Sequence, residues 1–284
     1  MLEMLINPRE AEKKPSRLFF VGLLYAALSL LLVDLIFLRS ATLAKHAPLL
    51  VITFSVMFSL PFMYSLIRRQ EFKEVTEGQN KTLFREHFTA IISLLWLFLG
   101  FVVAFSFFYI VLPSSTVTAN FGSQVEEFCR VNMPQQVSEC LRQYGIKSSI
   151  TGQVIGGNDV AAIFLNNIFV LIFVLIFSLA FGAGAIFILA WNASVIGAAI
   201  GLLFKSSLNF GLFFTYLIHG LPEIAAYFVA ALAGGILSMA IIRQDFGYGK
   251  FKGLLTDFFN LTLLAIVLLF VAALLEVYVS PYFF

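Results

Sequence analysis

The densest group of reactive side chains in this chain is His219-Gly220-Leu221-Pro222-Glu223. An imidazole and a carboxylate four residues apart share one face of a continuous helix. Such a pair can exchange hydrogen bonds, relay a proton or supply two ligands to a metal. Asp34, Glu276 and the paired amides Asn166 and Asn167 lie in other, strongly apolar stretches. Ionisable groups in apolar spans are expensive, so each needs a partner or a function. Three readings stay open. The residues bond to one another and pin a helix bundle, or they line a polar cavity for a substrate, ion or proton, or they hold a metal for hydrolysis. A catalytic zinc usually takes three protein ligands. No His-Glu-x-x-His run exists, and His46 and His87 fall at the ends of apolar segments. Asp34 or Glu276 would have to supply the third ligand. No Gly-x-Ser-x-Gly elbow, phosphate-binding loop or dinucleotide fingerprint stands in a usable context. No catalytic residue is therefore assigned, and neither a metal nor a cofactor is implied.

The elements that must position these groups are membrane spans. Of 284 residues, 60% are hydrophobic and 12% charged, about half the charged share of a soluble domain. At roughly 20 apolar residues per crossing, the expected fold is an all-α, polytopic transmembrane helix bundle of about seven spans. These are residues 18–38, 47–67, 88–112, 160–180, 185–204, 222–242 and 254–279. The first apolar run is too long for a signal-peptide core and reads as a retained span. Residues 1–17 read as a cytoplasmic tail or a helix on the lipid surface. Residues 18–112 hold three N-terminal spans, joined in part by a charged link at 68–87, and 160–284 hold a core of four. The run 160–204 needs a turn near Gly182 and Gly184 if both its spans cross. Residues 212–218 either extend the sixth span or form a re-entrant half-helix. The net charge of +2 gives no case for nucleic acid.

Lys and Arg in the connections set the orientation. With the N-terminus inside, twelve of the 18 fall on the cytoplasmic side. Seven spans then leave the C-terminus extracytoplasmic, in the plasma membrane. All six polar residues fall in the same half of the bilayer, whichever side that is. The only long polar stretch, 113–159, lies outside and contains both cysteines, Cys129 and Cys140. Residues 124–130 and 135–144 look helical, so the expectation is an outer helical-hairpin loop stapled by a disulfide, which an oxidising compartment permits.

Small residues mark packing faces. Gly197 and Gly201 form one small-xxx-small pair, and Ala226, Ala230, Gly234 and Ser238 form a stripe below Glu223. The two faces are expected to meet, although they also suit contacts between copies of the chain. Asn192 is expected to bond between helices.

Residues 166–238 resemble the stage II sporulation protein M family of integral membrane proteins. The likeness rests on Asn166-Asn167, the break at Gly182 and Gly184, and Trp191-Asn192 followed by Gly197 and Gly201. It ends with His219-Gly220-x-x-Glu223 leading to Gly234-Gly235. In endospore formers the family's eponymous member works in a membrane complex with cell-wall hydrolases, and the hydrolytic activity belongs to those partners. The resemblance implies a non-enzymatic membrane scaffold whose partners are the lipid bilayer and membrane or extracytoplasmic proteins. The 113–159 loop and the 68–87 link are the expected docking surfaces. A small transporter subunit and an intramembrane metal-dependent hydrolase are the alternatives.

Overall fold

The structure is a computed structural model. It describes residues 15–77, 83–132, 137–146, 160–181, 186–206, 210–242 and 248–283. The turn at Gly182 and Gly184, most of the 1–17 tail and residues 147–159 lie outside the described residues, as do the side chains of the 68–87 link. The elements are α1 (Arg17–Leu32), continued by a π-helical turn (Val33–Phe37), a short α2 (Ala41–Ala44), α3 (Ala47–Glu77) and α4 (Leu83–Val111). Then follow α5 (Ser114–Asn132), α6 (Val137–Gln143), α7 (Val160–Phe181), α8 (Ile186–Ser206), α9 (Phe210–Ile242) and α10 (Tyr248–Tyr278). A 3-10 turn, Ser280–Phe283, follows α10. No strand occurs among the described residues.

Six of these helices are long and apolar enough to cross a membrane: α1 with its π turn, α4, α7, α8, α9 and α10. Among the described residues a shorter apolar segment, Ala47–Phe62 of α3, stands beside them. A helix is the form such runs must take, because the bilayer core offers no outside partner for N–H and C=O groups. Buried hydroxyls follow the same rule within their own helices. Ser29 donates to the Tyr25 carbonyl at 2.7 Å, Ser55 to Val51 at 2.9 Å and Ser106 to Val102 at 2.7 Å.

Three boundaries differ from the sequence reading. The link at 68–87 is largely helix, since α3 runs on to Glu77 and α4 starts at Leu83. The sixth span does not begin at Pro222, because α9 is continuous from Phe210 with Pro222 inside it. Residues 212–218 therefore extend the span. An interior proline is tolerated where neighbouring helices and local adjustments satisfy the freed carbonyl. The third difference is in the polar stretch. Its first helix starts at Ser114, ten residues before the expected start. Val117, Phe121, Val125 and Phe128 are buried at helical spacing together with Asn120 and Gln124. With this face α5 packs on α3 and α8, so half of the expected free hairpin is part of the bundle. The staple is present: Cys129 and Cys140 form a disulfide between α5 and α6, with Cα atoms 5.8 Å apart.

Helix α1 packs on α4 and α3, and α4 packs on α8. Helix α9 takes the centre, against α10, α7 and α3. Most of the apolar stretch of α9 is buried and little of that of α7, so α7 is the peripheral helix. The closest crossing is α1 with α4. A Cβ on Gly22 would overlap the Leu97 carbonyl oxygen, and one on Gly100 would overlap that of Phe19. The small-residue faces of α8 and α9 are not turned to each other. A Cβ on Gly197 would come within 2.6 Å of Phe105 Cβ, and one on Gly201 would strike the Tyr109 ring, both on α4. A Cβ on Gly234 would come within 2.7 Å of Ser178 Cβ on α7. The glycines of α8 thus receive side chains of α4 and Gly234 of α9 receives one of α7, which is why the two faces do not pair.

Candidate functional site: polar groups within the spans

Continuity of α9 through Pro222 places His219, Glu223 and Tyr227 one turn apart on one face. His219 is buried, with Nδ1 3.1 Å from Ser280 Oγ. The 3-10 turn after α10 brings Ser280 back against α9. Glu223 is half-buried and accepts a 2.8 Å hydrogen bond from the hydroxyl of Tyr227. Tyr227 is among the largest fully buried side chains. Glu276, half-buried on α10, comes close enough to Glu223 for the two carboxylates to feel each other's charge. Below this group Ala226 and Ala230 are fully buried, and Ser178 of α7 donates to the Ala231 carbonyl at 2.6 Å. That bond ties the peripheral α7 to the central helix.

The six residues singled out in the sequence separate. His219, Glu223 and Glu276 come together between α9 and α10. Asn167 is buried on α7, whereas its neighbour Asn166 is exposed. Asp34 stands in the π turn after α1, where its carboxylate accepts a 2.6 Å bond from Asn120 Nδ2 on α5. Asn192 bonds within its own helix, to the Ile188 carbonyl at 2.8 Å, and not across helices as expected. Gly220 has open space around it, so no neighbouring backbone uses its missing side chain. Among the described residues no three His, Cys, Asp or Glu side chains converge as metal ligands would.

Sequence reasoning overlooked Asn120, Tyr227, Ser178 and Ser280. Tyr227 was legible as the next i+4 position after Glu223. The glycines of the α1–α4 crossing also carried a signal, since Gly22-x-x-x-Ala26 and Gly100-x-x-x-Ala104 repeat the small-xxx-small spacing.

A cavity of about 270 Å³ opens elsewhere, between the ends of α4 and α8 and the hairpin. Tyr109, Ser114, Thr118, Tyr144 and Lys205 are among its lining residues, which include none of the six. Lys205 lies 5.4 Å from the centre of the Tyr109 ring and donates to the Leu112 carbonyl at 3.3 Å. Burial pushes the Tyr144 hydroxyl above its usual pKa.

No curated relative and no solved structure matches the chain. The family model described as Stage II sporulation protein M matches residues 18–281. That range takes in every span, the hairpin and the polar face of α9, well beyond the stretch that carried the resemblance. This multi-pass membrane protein belongs to the stage II sporulation protein M family.

Proposed function

We propose that the protein is a non-enzymatic membrane component that assembles with protein partners in the plasma membrane. Its N-terminus is cytoplasmic, and its C-terminus and hairpin are extracytoplasmic. The observation that carries this reading is the use made of the polar side chains. Asp34 is bonded to Asn120, Glu223 to Tyr227, His219 to Ser280 and Ser178 to the α9 backbone. Three of these links join different elements, as a bundle held in one arrangement requires, and the Glu223–Tyr227 bond braces one turn of α9. Close glycine crossings support the same reading. Among the described residues a surface open to partners is the outer face of the hairpin, where exposed Arg130 pairs with Glu126 and exposed Arg142 with Glu139.

The test is a photo-crosslinking amino acid at Glu139 in native membranes, beside the same group at Phe169, which is exposed on α7. A discrete protein adduct from Glu139, weakened by charge reversal at Arg142, is expected, with lipid adducts from Phe169. Lipid adducts or none from both positions would remove the hairpin as a docking surface.

A second reading, a small transporter subunit that uses the polar groups as a substrate or proton site, draws on the approach of Glu276 to Glu223. It predicts solute or proton flux in proteoliposomes that Glu223→Gln abolishes without lowering the Tm.

A further inference from the structure

The cavity at the ends of α4 and α8 is lined by donors that the protein itself does not use. Tyr109 is 4% exposed, yet among the described residues its hydroxyl has no hydrogen-bond partner. The hydroxyl of half-buried Tyr144 has none either, and burial keeps it protonated. A buried hydroxyl without an acceptor is costly, so this wall is built to receive one. Lys205 adds an ammonium with three donors. One reaches the Leu112 carbonyl at 3.3 Å, and the charge lies over the Tyr109 ring. No carboxylate is among the described residues that line the cavity. Buried Val117, Val125 and Leu202 make its other wall apolar.

One ammonium with two free hydroxyls suits an oxyanion of single charge. A lone carboxylate would leave most of the 270 Å³ empty, whereas a phosphodiester with a small polyol fills it. A head group with its own amine would find no carboxylate there and would meet Lys205. The spans of α4 and α8 end at Val111 and Lys205, the depth at which lipid head groups lie. Exposed Ile110, Val111 and Phe204 stand beside the cavity, as acyl chains require. We propose that this cavity binds the phosphodiester of an anionic phospholipid with an uncharged polyol head. Lys205 faces the phosphate, and Tyr109 and Tyr144 donate to its oxygens. Because the lining comes from α4, α5, α8 and the end of α6, a bound lipid would fasten the hairpin to the spans.

The experiment is thermal unfolding of the full chain in a neutral detergent at fixed ionic strength. It is titrated with dioctanoyl phosphatidylglycerol, with dioctanoyl phosphatidylcholine and with inorganic phosphate. The wild-type Tm is expected to rise saturably with phosphatidylglycerol, by about 3 °C at roughly tenfold its Kd, and to change little with the other two. Lys205→Gln, at an exposed position, should abolish the response, and Tyr144→Phe should raise the half-saturating concentration several-fold. If Lys205→Gln does not fold, Tyr144→Phe decides. An equal rise with phosphatidylcholine would mean a general amphiphile effect, and an equal rise with inorganic phosphate would mean a free anion. Either result would overturn the proposal, as would a cavity that no ligand stabilises or a response that both variants retain in full.

Discussion

Gly100→Ala puts a methyl group where the backbone of α1 already stands. The added Cβ would overlap the Phe19 carbonyl oxygen and lie 2.8 Å from the Leu23 nitrogen. Neither obstacle can rotate away as a side-chain tip could, so α1 and α4 must separate along their crossing. Overfilling a packed contact costs about 1–3 kcal/mol, and a clash with backbone on both counts belongs at the upper end. At about 2–4 °C per kcal/mol, a loss of about 3 kcal/mol lowers the Tm by roughly 6–12 °C. Gly22→Ala should act alike, because its Cβ would meet the Leu97 carbonyl and come within 3.3 Å of Gly100 Cα. The two changes strain one contact, so the double variant should lose less than the sum of the singles. Gly122→Ala is the control: nothing lies within 4 Å of its Cβ inside α5. It should be neutral or gain up to about 1 kcal/mol of helix propensity. The assay is thermal unfolding in detergent, read by loss of helical circular dichroism. A Tm for Gly100→Ala within about 1 °C of wild type, or an equal loss for Gly122→Ala, would mean that the crossing is looser than the glycine contacts require.

Two further outcomes follow from the same packing. Ser178→Ala removes the 2.6 Å bond between α7 and the α9 backbone; it should cost about 1 kcal/mol and show first as faster amide exchange in α7. Replacing Cys129 and Cys140 together with Ser opens a bridge across 11 residues, at a cost of about 2–3 kcal/mol. Because α5 also packs on α3 and α8, the loss should appear as protease cleavage near α6 with the span helices still protected.

The spans were legible because bilayer thickness imposes a length, and six apolar helices meet it without help from packing, with the shorter Ala47–Phe62 segment beside them. Glu223 and His219 were legible because charge and imidazole stand out in such runs. The start of α5 was not, since Ser114, Ser115, Thr116 and Thr118 are residues that compete with helical hydrogen bonding and read as a loop. Its burial depends on α3 and α8, which no local pattern names. Asn120 was missed for the same reason: a neutral amide in a polar stretch carries no sign of the distant Asp34. The glycine faces were readable as packing surfaces. Which helix each receives is a property of the assembled bundle, and there the expected pairing of α8 with α9 gave way to contacts with α4 and α7.

The most direct measurement is the Tm of Glu223→Met, Tyr227→Phe and the double variant. If Glu223 serves a structural role, both single changes break its 2.8 Å bond within α9 and lower the Tm. A side-chain hydrogen bond contributes about 0.5–1.5 kcal/mol, so the double variant should be little worse than either single one. A carboxylate kept for transport or catalysis at the expense of stability predicts the reverse. Glu223→Met would then leave the Tm unchanged or raise it, and that result would contradict the structural role of the polar groups.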